Sequence, residues 1–359
     1  MKLVIGTYTE DLPHVRGKAL GIYGADFEAA TGRIGPVCLL AAARNPSYLT
    51  ASASGENLYA VTETLSLRDR EGGGITAYAR DRETGNLTRL NDRSSRGASP
   101  CHIAVDPSGR FVLTANYGAD SGPGSVSVHR LAADGSLGDV TDHVQHAGSG
   151  PHPVRQAASH PHMTASDPRT GEVLVTDLGI DAVVVYSLDQ AGRLTPKASA
   201  RWVTAPGAGP RHVAFHPDAH HLFVVNELGN TVATLRRQAG RFEQVHCVST
   251  LPPGVGSHGT AGAIRMSRSG RHVLVSNRGH DSVSVLRFSS ATSSLSLTGT
   301  TASGGEQPRD LAVSPDGRHV VIANTCSGLV VSCGFDDRTG ALRPLHSTAV
   351  PSPACLVFG

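Results

Sequence analysis

The chain has no apolar run long enough to cross a bilayer as a helix, no cluster of lysines and arginines, and no C-x-x-C pair among its six cysteines. Each absence removes a class of protein. Without an apolar stretch of about 18 residues there is no transmembrane helix to place. A formal net charge of +2 over 359 residues lacks the electrostatic footprint that nucleic acid or an anionic membrane surface demands, so neither is an expected partner. Cys38, Cys101, Cys247, Cys326, Cys333 and Cys355 lie far apart and away from any zinc-type histidine spacing. They read as small apolar fillers in a reducing compartment. Met1 leads straight into the strand-like "KLVIGTY", without the basic segment, apolar core and cleavage site of a signal peptide. The expectation is a soluble, cytosolic protein whose partner is a small molecule.

Charge is also scarce, at 17% of residues, and no window carries the 3.6-residue apolar stripe of an amphipathic helix. What the chain has instead is 41 glycines and 21 prolines, the mark of many short strands joined by turns. Internal similarity then organises the whole length. "CHIAVDPSGRFVLTANY" (101–117), "RHVAFHPDAHHLFVVNE" (211–227) and "RDLAVSPDGRHVVIANT" (309–325) align without gaps. Looser copies begin at 47, 162 and 262, and "PACLVFG" at the C-terminus supplies the first strand of a seventh. Each copy is followed by a β-branched strand, a turn and a fourth strand, so one unit is four antiparallel strands, the size of a propeller blade.

The seventh unit is split. "PACLVFG" has nothing after it, while "KLVIGTY", "GIYGADFE" and "PVCLLAAA" read as second, third and fourth strands that lack a first. Pairing the two ends hides two open sheet edges. The predicted fold is all-β: one domain over 1–359, a seven-bladed β-propeller with four antiparallel strands per blade, closed by its N- and C-terminal strands. A closed ring covers its blade edges, so a monomer is the default.

The residue that opens each first strand and the residue that closes each second strand fall at one rim. The opening residues are Ser47, Cys101, His162, Arg211, Gly262, Arg309 and Ala354, and the closing ones Glu63, Tyr117, Leu178, Glu227, Arg278, Thr325 and Tyr8. Symmetry about the turn places Arg211 opposite Glu227, Gly262 opposite Arg278 and Arg309 opposite Thr325. Three arginines, a histidine and one glutamate thus gather on blades three to six, a surplus of positive charge suited to an anion. A guanidinium there can fork onto carboxylate or phosphate, although Arg211 and Glu227 can also satisfy each other as a simple salt bridge. His102 and His212 point the other way and read as inter-blade hydrogen-bonding groups, as do Asn226, Asn277 and Asn324. Histidines crowd 143–162, but their spacing is irregular and broken by Pro and Gly. No metal site and no cofactor is expected.

At "HPH" (160–162), "GAGPRHVAFHPD" (207–218), "VVNEL" (224–228), "SNRGHDSV" (276–283) and "QPRDLAVSPDGRHVVIAN" (307–324) the chain resembles the seven-bladed lactonase family. That family includes bacterial 6-phosphogluconolactonase and the fungal carboxymuconate lactonizing enzyme. The resemblance runs the full length, and "VIGTYT" and "PSPACLVF" match the family's ends. It implies a cytosolic, cofactor-independent enzyme acting on small anionic lactones or their open acids. It carries a catalytic histidine and glutamate onto His162 and Glu227, and substrate-gripping arginines onto Arg211 and Arg278. Arg309, His160 and Arg155, with Gln156 beside it, follow as further substrate-binding positions. The chain departs from the pattern where "GAI" (262–264) stands in place of "AEI", just after a Gly-rich "GSHGTAG".

Lactone hydrolysis needs a base to activate water, a positive group for the oxyanion and an acid for the leaving alkoxide. Glu227 serves as base if Arg211 leaves it able to accept a proton, and His162 takes that role if the pair is tight. Arg278 or Arg211 holds the oxyanion or the substrate's anionic group. The alternatives are ring closure by the same groups run in reverse, or a non-catalytic propeller scaffold, since a fold alone does not decide function.

Overall fold

The computed structural model describes residues 1–67, 70–119, 122–256 and 259–359. Among the described residues there is no α-helix, and no helix long and apolar enough to cross a membrane. Seven antiparallel sheets of four or five strands follow one another along the chain as the blades of a seven-bladed β-propeller. Two short two-stranded ribbons accompany them.

The fourth blade shows how sequence becomes blade. Pro210–Phe215, His221–Asn226, Thr231–Gln238 and Arg241–Ser249 pair in chain order. The second strand is buried at every position and is accordingly a nearly continuous apolar run, "LFVV", between polar ends. Most of the fourth strand is exposed or half-exposed, and its sequence is correspondingly mixed. The turn between the first two strands needs a left-handed residue, and in the first, second, third, fifth and sixth blades glycine supplies it: Gly55, Gly109, Gly171, Gly270 and Gly317 have φ of 74°, 69°, 71°, 77° and 75°. In the fourth blade Ala219 takes that place at φ 55°.

The chain forms two compact units. One comprises Met1–Ala19, Tyr23–Leu39 and Arg211–Phe358 and carries the fourth to seventh blades. Its core lies between consecutive blades: Ala263, Leu274 and Val283 of the fifth pack with Leu311, Val320 and Ile322 of the sixth. Leu3, Ile5 and Phe27 of the seventh pack with Val321 and Ala323 of the sixth. The other unit, Leu20–Ile22, Leu40–Pro210 and Gly359, carries the first three blades on the same plan, as where Phe111 and Val126 meet Val173 and Tyr186. Each fully buried Val, Leu, Ile or Phe contributes about 1.5–3 kcal/mol.

The seventh blade joins the two ends of the chain as the repeat arithmetic requires. Pro353–Phe358 lies antiparallel to Lys2–Thr7, with Leu3 opposite Phe358 and Ile5 opposite Leu356. Lys2–Thr7 pairs in turn with Gly21–Glu28, and both Arg33–Ile34 and Cys38–Ala42 pair with that strand. Asp310 of the sixth blade fastens the closing strand: its buried Oδ2 accepts the Leu356 N–H at 2.9 Å, while Oδ1 holds Arg265 at 2.7 Å.

Candidate active site

The pairing expected at the strand ends is corrected by the observed register. Gly262 does not face Arg278. Thr260 does, Ala261 faces Asn277, and the register then slips before Ile264 meets Val275. Nor does Arg309 face Thr325: Pro308 pairs with Asn324 and Asp310 with Ala323, which leaves Arg309 in a bulge, and the Thr325 N–H donates to Gln307 O at 3.1 Å. The same slip leaves Cys101 between the paired Pro100 and His102, and His162 between Pro161 and Met163. A bulge adds one unpaired residue to one strand, increases the local twist and re-aims the side chain. Counting outward from the turn cannot register it.

In the unit carrying the last four blades, Glu227 is the centre of a buried charge cluster. Its Oε2 lies 3.0 Å from Nε of Arg211 and 2.9 Å from Nη2 of Arg278. Side-chain exposure is 1% for Glu227, 3% for Arg211 and 12% for Arg278, so the pairs are largely out of water and weakly screened. Arg211 also donates through Nη1 to Gly262 O at 3.0 Å and sits 3.1 Å from Nδ1 of His212. Arg278 donates to Ala261 O at 2.9 Å. Two guanidinium groups on one carboxylate leave a net positive charge and favour the ionised acid. Arg309 is half-buried, with its guanidinium 5.1 Å from the ring centroid of the buried Tyr8.

Gly262 is required where it stands. A Cβ there would come within 2.4 Å of Ser276 Oγ and 3.0 Å of Pro308 O, because the inner strands of adjacent blades approach closely. Ala263, which occupies the acidic position of the family pattern, is fully buried in the apolar cluster between the fifth and sixth blades, and its N–H donates to Ser276 Oγ at 2.9 Å. Ser257 and His258 of "GSHGTAG" lie outside the described residues.

In the other unit, Tyr117 organises a second cluster. His160 stacks on its ring at 4.3 Å and 7°, and donates from Nδ1 to the Tyr117 carbonyl at 2.7 Å. His162 meets Tyr117 edge-on at 5.9 Å, with its Nδ1 3.9 Å from Cys101 Sγ. Arg155 donates from Nε to the Tyr117 hydroxyl at 3.2 Å. Gln156 is a structural tie: its buried amide donates to Leu178 O at 2.9 Å and to Asp181 at 2.8 Å. Glu63 accepts a hydrogen bond from Ser47.

Sequence reasoning missed the support beneath these histidines. Asp177 accepts the His160 N–H at 2.7 Å and the Gly179 N–H at 3.0 Å on one oxygen, and its other oxygen lies 2.6 Å from Nδ1 of His146. Nε2 of His146 is 2.8 Å from the Tyr186 hydroxyl. Burial and then the charge of Asp177 push that phenol up to about 12, so it stays protonated. His102 lies between blades as expected, with its Nδ1 accepting the Thr164 N–H at 3.4 Å. Asn324 ties the sixth blade to Ser303 O at 3.1 Å, whereas Asn226 and Asn277 bond to hydroxyls within their own blades.

Fold and side chains together define a class: a β-propeller with buried ionic and imidazole groups at the ends of its inner strands. The chain belongs to the lactonase family of seven-bladed β-propellers, whose model, "Lactonase, 7-bladed beta-propeller", matches residues 2–358. Membership places it among lactone hydrolases. It is 36% identical over 357 residues to the 6-phosphogluconolactonase of Bacillus subtilis, covering 99% of this chain and 97% of that one. Among solved structures, the periplasmic gluconolactonase of Pseudomonas aeruginosa is 32% identical with a TM-score of 0.91, covering 99% and 98% of the two chains. A protein from Lactobacillus plantarum is 33% identical with a TM-score of 0.88 over the same shares.

Proposed function

We propose that the protein hydrolyses a small anionic sugar-acid lactone, with 6-phosphoglucono-δ-lactone the first substrate to try and unphosphorylated glucono-δ-lactone the second. The observation that carries this reading is the Arg211–Glu227–Arg278 cluster, a carboxylate outnumbered by guanidinium groups in a largely dry setting where charge interactions are strong. Both named relatives are lactonases of sugar acids, one of them for a phosphorylated substrate.

The tightness of the cluster supports one division of roles. A carboxylate already held by two cations is a poor proton acceptor, so Glu227 orients Arg211 and Arg278 and His162 takes the proton from the attacking water. His162 then returns that proton to the ring oxygen as the carbon–oxygen bond breaks. Arg278, the more exposed partner of Glu227, meets the oxyanion of the tetrahedral intermediate. Arg309 binds the substrate's phosphate or carboxylate, and Arg155 and His160 contact its hydroxyls.

Acid release in a pH-stat, corrected for spontaneous opening, tests the reading. His162→Asn and Arg278→Ala should each lose at least about 100-fold in kcat/KM, and Arg309→Ala should mainly raise KM for the anionic substrate. A folded wild-type protein with no rate above background on either lactone would overturn the proposal. Product analysis separates ring opening from ring closure.

A further inference from the structure

A second cluster lies on the turn between the first two strands of the fourth blade, at the far end of the hairpin from Arg211 and Glu227. The turn folds "HPDAHH" (216–221) so that one ligand atom each from His216, Asp218 and His221 lies within 4.8 Å of the other two. Nδ1 of His216 is 3.0 Å and Nδ1 of His221 2.8 Å from the same oxygen, Oδ2 of Asp218. Protons on neutral rings do not satisfy both contacts. The Asp218 N–H donates to Nδ1 of His216 at 3.1 Å, which requires a lone pair on that nitrogen. A metal ion on that nitrogen would take this lone pair in place of the Asp218 N–H. Nε2 of His221 is 3.0 Å from Ser293 Oγ, and a ring that donates there turns a second lone pair onto Oδ2.

Three potential ligand atoms therefore lie together on one turn, where a bound cation can draw on all of them. We propose that His216, Asp218 and His221 bind a divalent transition-metal ion of the zinc type, with water completing its coordination. Two imidazole nitrogens and one carboxylate oxygen suit zinc, nickel or copper, whereas calcium and magnesium want oxygen donors throughout. Tetrahedral ligands at about 2.0–2.1 Å stand about 3.3 Å apart, so the two spacings to Asp218 Oδ2 need to open by only a few tenths of an ångström. The rings are already held, since His216 and His221 pack on Phe288 at 5.0 and 4.9 Å between centroids. Asp218 is open to solvent, which gives the ion a path in. The ion would staple the hairpin at the end opposite its charged cluster, and so act on stability. Histidine spacing along 143–162 argues against a metal there, but the spacing of 216–221 acquires meaning only once the turn has formed.

The test is calorimetric titration of the chelator-treated, full-length protein with zinc, beside magnesium as a control. One zinc equivalent should bind wild type at least ten-fold more tightly than it binds His221→Asn or Asp218→Asn. Zinc should raise the wild-type Tm by several degrees and leave the variants and the magnesium control unmoved. With 18 histidines in the chain, weaker binding elsewhere is common to all three proteins, and the difference between them is the readout. Asp218→Asn changes an exposed group and keeps a folded comparison if His221→Asn does not fold. Equal zinc affinity in wild type and variants would mean that the cluster is a hydrogen-bonded turn sharing a proton, and would sink the proposal.

Discussion

His129 couples the fold to acid. Its ring is buried, Nε2 donates to Ser94 O at 3.0 Å, and a proton on Nδ1 would find no acceptor among the described residues. Burial, against the pull of that hydrogen bond, holds its pKa down at about 4. An unfolded histidine takes its proton near pH 6.5. Between those values the unfolded chain binds more protons than the folded one, so stability falls as pH is lowered from 6.5 to 4, by up to about 3 kcal/mol. His129→Gln keeps a donor for Ser94 and cannot titrate. Urea unfolding at pH 7 and pH 4.5 should show a shallower loss for the variant, and an unchanged slope would assign the acid sensitivity to other groups. At this scale the sequence names residues well and partners less well. Glu227 meets Arg211 and Arg278, and Cys101 lies near His162. The Asp177–His146–Tyr186 chain joins residues up to 40 positions apart on different strands, and nothing in their spacing announces it.

Among elements, the hairpins of the repeat are the units that can be compared directly. Five of their turns place glycine in the left-handed region, at Gly55, Gly109, Gly171, Gly270 and Gly317, and the fourth blade places Ala219 there at φ 55°. A Cβ in that conformation costs about 1–2 kcal/mol, partly offset by the greater freedom of glycine in the unfolded chain. Ala219→Gly should therefore stabilise the protein by about 0.5–1 kcal/mol, read as a higher urea midpoint at constant m-value; a lower midpoint would mean that Ala219 makes a favourable contact that outweighs the strain. The bulges belong to the same scale. They decide that Arg309, Cys101 and His162 leave the ladder, and they follow from how neighbouring inner strands crowd, as the close surroundings of Gly262 show.

For the whole molecule, the two ends of the chain share one sheet. Pro353–Phe358 buries Ala354, Cys355 and Leu356 and supplies the partner of Lys2–Thr7. A chain stopped after Ser352 would leave that strand as an open edge beside an unfilled core position. It should lose cooperative unfolding and elute as aggregates in size-exclusion chromatography; a monodisperse, cooperatively melting product would show that the seventh blade tolerates three strands. That pairing, the seven blades and the strand order within each were legible in the sequence by itself, because each rests on a local pattern repeated along the chain: apolar periodicity, turn chemistry and fixed spacing. The lactonase resemblance was legible too, on motifs such as "HPH" (160–162) and "SNRGHDSV" (276–283). The slipped register at the strand ends, the doubly held carboxylate of Glu227, the support under His160 and the convergence of His216, Asp218 and His221 were decided by the tertiary structure alone. They depend on single-residue bulges and through-space distances of about 3 Å, and neither leaves a trace in composition or period.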